Sequence, residues 1–105
     1  MKVITNGRET GKKETGCALC GGTWGSYYED VEDQSMFFCC DLCAKAFINT
    51  VNEVKKRTGW DHLDQLELKG NYYTGRTCVA RREGKEYKFY VKFNDEADIE
   101  TFREL

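Results

Sequence analysis

The spacing of the cysteines constrains this chain more than any other feature of its sequence. Five of the six cysteines lie between positions 17 and 43, as Cys17 and Cys20 in "CALC" and as Cys39, Cys40 and Cys43 in "FFCCDLC". Two cysteines separated by two residues deliver two thiolates to one metal ion, and four thiolates surround zinc at Zn–S distances of about 2.3 Å. Either Cys39 or Cys40 can complete a second pair with Cys43, so the spacing leaves both open.

The N-terminal sequence indicates where such cysteines would be found. "MKVITNGRETGKKETG" has no apolar stretch typical of a signal peptide, and no apolar run in the chain is long enough to cross a bilayer. We therefore expect a cytoplasmic protein, in which disulfides are rare and clustered cysteines are more often metal ligands or redox groups. A redox-active Cys-x-x-Cys pair of the thioredoxin type occurs in a βαβ unit, and the predicted secondary structure of this chain contains none. An iron–sulfur cluster, or a set of buried or disulfide-bonded cysteines, is an alternative to zinc.

The residues around the cysteines predict a β-hairpin followed by a helix. Residues 23–31 and 36–39 carry the aromatic and β-branched residues typical of strands, with a turn at "EDQS" between them. Asp41 is a candidate N-cap, and Gly59 is a natural residue to end the helix. One helical stripe joins four residues: Cys43, Phe47, Val51 and Val54.

The flanking segments predict a short arm and a second small sheet. "MKVIT" indicates a short strand, and residues 6–16 a polar loop. Residues 72–82 and 86–93 predict a hairpin around "EGK", after a helical turn in "WDHLDQLEL". "DEADIETFREL" predicts a final helix that Asn94 caps and that packs onto the sheet through Ile99 and Phe102.

Together these elements predict an α+β fold in one compact domain. Residues 1–16 form an N-terminal arm, residues 17–59 a zinc module, and residues 60–105 a β-hairpin plus C-terminal helix packed on that module.

The segment from "CALC" to "FFCCDLCAKAF" resembles the treble-clef zinc fingers of the TRASH, YHS and MYM-type families. These families show an aromatic residue, a cysteine, a small residue, two variable residues, a cysteine and, four residues on, another aromatic. The resemblance covers roughly residues 17–58, and it implies that Cys39 is a ligand while Cys40 fills the small-residue position. It further implies that Phe38 and Phe47 pack beside the site. The implied zinc ligands are Cys17, Cys20, Cys39 and Cys43. The chain as a whole also resembles a small archaeal zinc-binding protein of uncharacterised function.

The sequence points to a binding module rather than an enzyme. It contains no phosphate loop, no Cys–His pair in a catalytic context and no paired carboxylates on a recognisable scaffold. Four cysteine ligands close a zinc site and leave no open position for a substrate. We expect structural zinc in an interaction module with a protein partner that the sequence does not name. Resemblance to TRASH proteins implies an alternative, a metal sensor or metallochaperone in which Cys40 is the exchange ligand.

A basic stretch raises a second alternative, a nucleic-acid-binding module. Residues 69–92 carry a net charge of +5, and Lys88, Tyr90 and Lys92 would share one strand face. Proteins commonly bind single-stranded nucleic acid by stacking bases on an aromatic ring that lies between positively charged side chains. The whole chain, however, has a net charge of −2 and a pI near 5.5, which disfavours a dedicated nucleic-acid binder. We expect no membrane partner.

Overall fold

Eight strands and one helix follow one another in the computed structural model, which describes residues 1–105. The elements are β1 (Lys2–Thr5), β2 (Arg8–Thr10), β3 (Tyr27–Val31), β4 (Gln34–Phe38), α1 (Asp41–Thr58), β5 (Gln65–Asn71), β6 (Gly75–Arg82), β7 (Lys85–Phe93) and β8 (Ile99–Glu104). α1 is not long and apolar enough to span a membrane.

Six of the strands form one mixed sheet in the order β2-β1-β5-β6-β7-β8, and β3 pairs with β4 in a separate hairpin. β1 runs parallel to β5, and every other pairing is antiparallel. Side chains alternate between the two faces of a strand, so the buried residues share one face of the large sheet. On that face Val3 lies opposite Leu66, and Leu66 lies opposite Ala80. α1 packs against β7 and β8 of this sheet and also contacts β3 and β4.

Two-residue turns with positive φ close three of the hairpins. The central residues are Asn6-Gly7 between β1 and β2, Glu32-Asp33 between β3 and β4, and Glu83-Gly84 between β6 and β7. Positive φ at both central positions matches the right-handed twist of the paired strands. The predicted short strand in "MKVIT" and the predicted turn at "EGK" are confirmed, and both predicted hairpins are present. The turn predicted at "EDQS" is confined to Glu32-Asp33, and the first strand of each predicted hairpin begins later than expected, at residue 27 and at residue 75.

α1 ends as the sequence predicts and begins one residue earlier than expected. Gly59 has φ 77°, and its N–H donates to the carbonyl of Lys55 at 2.8 Å. The predicted N-cap at Asp41 is wrong because Cys40 occupies that position and Asp41 is the first helical residue. The predicted stripe is confirmed, with Phe47, Val51 and Val54 fully buried.

The predicted C-terminal helix is wrong, because these residues form β8. Ile99 and Phe102 are three residues apart, which suits one face of a helix and would place them on opposite faces of a regular strand. A β-bulge between Lys92 and Phe93 restores a common face, since Ile99 pairs with Phe93 and Phe102 with Val91. The ring of Phe102 stacks on Phe89 with centroids 4.8 Å apart.

Two further strands lie where the sequence predicts other structure. "WDHLDQLEL" contains the start of β5 rather than a helical turn, and "NGRETGKKETG" contains β2 rather than only a loop. The predicted fold class, an α+β treble clef followed by a hairpin and a C-terminal helix, is therefore wrong: the chain is mostly β and centres on a six-stranded mixed sheet. The division at residues 16 and 59 stays a prediction.

Candidate metal centre

A tight backbone turn presents the first two cysteines. The N–H of Cys17 donates to the carbonyl of Gly22 at 2.7 Å, and the N–H of Gly21 donates back to the carbonyl of Cys17 at 2.8 Å. The turn also aims N–H groups at sulfur. Leu19 and Cys20 donate to Cys17 Sγ at 3.4 and 3.5 Å, and Gly22 donates to Cys20 Sγ at 3.4 Å. Hydrogen bonds to a thiolate favour its charged form, so this turn is prepared to hold anionic sulfur.

The turn is fixed to the β3–β4 hairpin by backbone contacts. The N–H of Ala18 donates to the carbonyl of Phe37 at 3.1 Å, which ties the turn to β4. Gly25 has φ 78°, and a Cβ at this position would lie only 2.0 Å from the carbonyl oxygen of Cys39. A glycine is therefore required where the segment after the turn passes Cys39.

The second pair of cysteines comes from the junction of β4 and α1. Cys39 follows the last residue of β4, Cys40 is the N-cap of α1, and Cys43 lies in the first helical turn. The free N–H groups and the dipole at a helix N-terminus stabilise thiolate charge. This strand-to-helix junction therefore presents sulfur in a favourable environment.

The structure brings together the four cysteines that the sequence predicts as ligands. The Sγ atoms of Cys17, Cys20, Cys39 and Cys43 all lie within 4.8 Å of one another, so they could hold a metal ion. Cys39 Sγ is 3.6 Å from Cys20 Sγ and 3.4 Å from Cys43 Sγ. A tetrahedron with Zn–S distances of about 2.3 Å has edges of about 3.8 Å, which falls within this range. All six cysteines are free, so the alternative of a disulfide-bonded set does not describe this state.

The pKa values of Cys17, Cys39 and Cys43 are displaced because these thiols lie close together and are partly buried. Hydrogen bonds from Cys20 and Cys43 lower the pKa of Cys17 to about 2. Burial raises the pKa of Cys39 to about 12, and the hydrogen bond with Cys17 raises that of Cys43 far above its ordinary value. The close sulfur contacts thus favour the charged form at Cys17 and the protonated form at Cys39 and Cys43. A metal ion must displace those protons to bind all four sulfurs.

Cys40 lies at the edge of the cluster and does not complete it. Its side chain is exposed, and its Sγ is 3.9 Å from Cys39 Sγ. Cys78 is fully buried in the core, as the sequence predicts, and burial raises its pKa to about 12. Phe38 and Phe47 pack against each other with ring centroids 5.5 Å apart.

The predicted basic strand face lies on the opposite, open side of the large sheet. Lys88 is exposed, and Tyr90 and Lys92 are half-buried. The guanidinium carbon of Arg103 lies 4.6 Å from the centre of the Tyr90 ring, and the Tyr90 hydroxyl donates to the carbonyl of Thr74 at 2.7 Å. One face of the ring is thus covered by the protein's own arginine, which leaves less aromatic surface for a nucleotide base.

Sequence reasoning missed one charged residue in the core. Arg76 retains only 4% of its exposed surface and lies on the same strand face as Cys78 and Ala80. The sequence contained a signal for this burial, because Arg76 lies two positions before Cys78 in a strand and alternate residues of a strand share one face.

Comparison with known proteins places the chain in a family. No curated protein and no solved structure matches it. A model of the Ta0938 family matches residues 14–105, a range that contains α1, strands β3 to β8 and every cysteine of the cluster. The match covers most of the chain, and the protein therefore belongs to the Ta0938 family.

Proposed function

We propose that this protein is a small zinc-binding module of the cytoplasm, in which zinc bound by four cysteines is structural and the folded module serves to bind a protein partner. The convergence of four sulfur atoms from two separate segments carries the proposal. One segment is a turn that directs three N–H groups at sulfur, and the other is a helix N-terminus.

The chemistry of the ligand set supports zinc. Four thiolates at tetrahedral spacing are typical of zinc or of iron, and a single ion at the centre reaches all four sulfurs. A multi-iron cluster distributes its cysteines over several metal atoms and needs sulfurs that lie farther apart. Four protein ligands leave no coordination position for a substrate, so the proposal is a non-enzymatic role.

Removal of the metal tests whether zinc is structural. In zinc-finger peptides the apparent binding free energy is about 10–16 kcal/mol, which is as large as the whole stability of a typical domain, about 5–15 kcal/mol. We expect the purified protein to contain one zinc ion, measured by native mass spectrometry. After chelation, amide hydrogen exchange should become fast in residues 17–59, whereas β6 and β7, which pair through a local hairpin, should retain more protection.

Re-addition of zinc is the control, and it should restore slow exchange and the original melting temperature. Chelated protein that keeps its full amide protection and melting temperature would show that zinc is not structural.

The exposed thiol beside the cluster favours one alternative, a site that exchanges its metal. Cys40 Sγ lies 3.9 Å from Cys39 Sγ and is open to solvent, so it can offer an incoming ligand while Cys39 dissociates. A metal sensor or metallochaperone would release zinc to a competing chelator within seconds to minutes. A structural site should hold it for hours, and Cys40→Ser should slow release only in the exchange-capable case.

A further inference from the structure

The hairpin of β3 and β4 has one covered edge and one open edge. On the outer side of β4, the N–H of Phe37 donates to the carbonyl of Gly11 at 2.9 Å, and the carbonyl of Phe37 accepts from the N–H of Ala18 at 3.1 Å. No backbone hydrogen bond joins β3 to any segment other than β4. β3 is therefore an edge strand whose outer side is free to pair with another strand.

The register of the hairpin identifies the outward-facing backbone groups of β3. Tyr28 lies directly opposite Phe37, and opposite residues of an antiparallel pair either bond to each other or both point away. Because Phe37 bonds outward, Tyr28 also directs its N–H and C=O outward, and so does Asp30 two residues further on. The edge thus offers two donors and two acceptors at the spacing that a neighbouring strand requires.

A groove lies between this open edge and α1. Its volume is about 350 Å³, which has room for a few side chains, and its lining includes Tyr27 and Glu29 from β3 and Asp41, Leu42, Lys45 and Ile48 from α1. No residue of β4 lines it, so the groove opens beside the free edge of β3. Leu42 is 46% exposed and Tyr27 is 36% exposed. An extended segment bound along β3 would cover both.

The groove carries negative charge that the protein does not neutralise. Glu29 and Asp41 form no ion pair, and neither does Asp30 on the edge itself. Lys45, the only cation in the lining, is already paired with Asp98 at 3.1 Å. A complementary segment would therefore be basic. A second copy of β3 is not, since Glu29 and Asp30 would bring like charges together across the new pairing.

We propose that β3 and the groove beside it bind an extended basic segment of a protein partner, which adds as a further strand to the open edge. This inference rests on the proposed function as a partner-binding module and names the chemistry of the partner. Strand addition draws affinity from main-chain hydrogen bonds and specificity from pockets for alternate side chains. Every second side chain of the segment enters the groove. An apolar one covers Leu42 and Ile48, and a basic one two positions away reaches Glu29 and Asp41.

The experiment selects ligands for the zinc-loaded full chain from a phage-displayed library of random linear decapeptides. Enriched peptides are synthesised, together with two versions methylated on alternate backbone nitrogens, one for each alternation. Binding is measured by calorimetry to wild type, Glu29→Lys, Asp30→Asn and Asp30→Pro. Asparagine and proline both remove the charge of Asp30, but only proline removes its outward N–H. On an edge strand this change leaves the hydrogen bonds within the hairpin intact.

We expect the enriched peptides to share a basic and an apolar residue two positions apart. Glu29→Lys should weaken their binding about threefold or more, whereas Glu9→Lys, the same change at an exposed position on β2, should leave it within about twofold. Asp30→Pro should bind about fivefold more weakly than Asp30→Asn, because one backbone hydrogen bond is lost. Only one of the two methylated versions should lose binding, since only one edge of the peptide pairs with β3.

Amide hydrogen exchange in wild type tests the strand pairing directly. At saturating peptide, exchange at Tyr28 and Asp30 should slow about tenfold or more, because their N–H groups become bonded. The N–H of Glu29 faces β4 and serves as the internal reference.

The outcomes separate this inference from the proposed structural zinc. The docking site is overturned if no peptide is enriched or if the enriched peptides lack basic residues, and the acidic residues then only protect the edge from pairing. It is also overturned if bound peptide leaves the amides of Tyr28 and Asp30 unprotected, a result that needs no variant to fold. Dimerisation in sedimentation, with protection of these amides in the absence of peptide, would assign the edge to a second copy instead. None of these results affects the zinc site. Chelated protein that stays folded and still binds the peptides would overturn structural zinc and leave the docking site standing.

Discussion

The adjacent cysteines Cys39 and Cys40 give the sharpest test of the ligand assignment, because each serves as the control for the other. Cys39 Sγ lies 3.6 Å from Cys20 Sγ and 3.4 Å from Cys43 Sγ, so it forms two edges of the sulfur tetrahedron. Cys40 Sγ approaches only Cys39 Sγ, at 3.9 Å, and its side chain is exposed. Replacing each cysteine singly with serine should therefore have very different effects.

The expected size of the difference follows from the ligand count. A binding free energy of about 10–16 kcal/mol shared among four thiolates gives about 2.5–4 kcal/mol for each. A serine oxygen at position 39 is a poorer ligand for zinc, so we expect Cys39→Ser to lose about 3 kcal/mol, or about 100-fold in affinity. Cys40→Ser removes no cluster sulfur and should change the affinity by less than about threefold, which is under 1 kcal/mol.

The assay is zinc stoichiometry by native mass spectrometry, followed by chelator competition for the dissociation constant. The double variant Cys39→Ser with Cys40→Ser shows whether Cys40 partly replaces a missing Cys39. Tighter zinc binding in Cys39→Ser than in Cys40→Ser would assign the ligand to Cys40 and refute the geometric argument. If both single variants keep tight zinc and only the double variant loses it, the neighbours substitute for each other and the exchange-capable alternative gains support.

Three further expectations concern pH, the backbone and the basic face. Burial raises the pKa of Cys39 to about 12, so zinc must displace the proton of this thiol when it binds. Zinc affinity, measured by chelator competition, should therefore fall at least tenfold for each unit that the pH is lowered. An affinity that does not depend on pH would contradict this. Gly25→Ala should weaken zinc binding and lower the melting temperature more than Gly59→Ala. Both glycines have positive φ, so alanine at position 59 should cost about 1–2 kcal/mol of folding free energy from backbone strain alone. At position 25 the added Cβ would also meet the backbone carbonyl of Cys39. Equal losses of stability and zinc affinity in the two variants would contradict this close approach. Wild type should bind single-stranded oligonucleotides no tighter than micromolar at physiological salt, and sub-micromolar binding lost in Lys88→Glu with Lys92→Glu would overturn that expectation.

The cluster of four cysteines was predictable because its signals are local. Cys17 and Cys20 lie in one turn, and Cys39 and Cys43 flank one strand-to-helix junction, so spacing alone brings each pair together. The hairpin and helix that hold these pairs are also coded locally, by turn residues and by a helical stripe. Arg76 was harder to recognise because a charged residue in the core is rare, and its positive charge suggested a surface position.

The large sheet was less predictable, because its pairings join distant segments. Leu66 and Leu68 alternate as a strand requires, but their neighbours include Asp64, Gln65 and Glu67, which are poor strand formers. β5 is a strand because β1 and β6 flank it on either side, and neither partner is visible from the local sequence. Asn6-Gly7 was a recognisable hairpin signal that the polar residues of β2 obscured.

The parallel pairing of β1 with β5 joins the N-terminal strand to the large sheet and links it to the cysteine cluster. Parallel neighbours need a crossover connection, and here it contains β2, the cysteine turn, the β3–β4 hairpin and α1. The same segment that crosses over supplies all four cluster sulfurs. Thr5 on β1 reinforces the link, because its hydroxyl donates to the carbonyl of Ala18 inside the cysteine turn at 3.0 Å. We expect metal binding at the cluster to close this crossover and to stabilise the side of the sheet formed by β2 and β1. Strands β6, β7 and β8 are joined by short connections and should depend on the metal less.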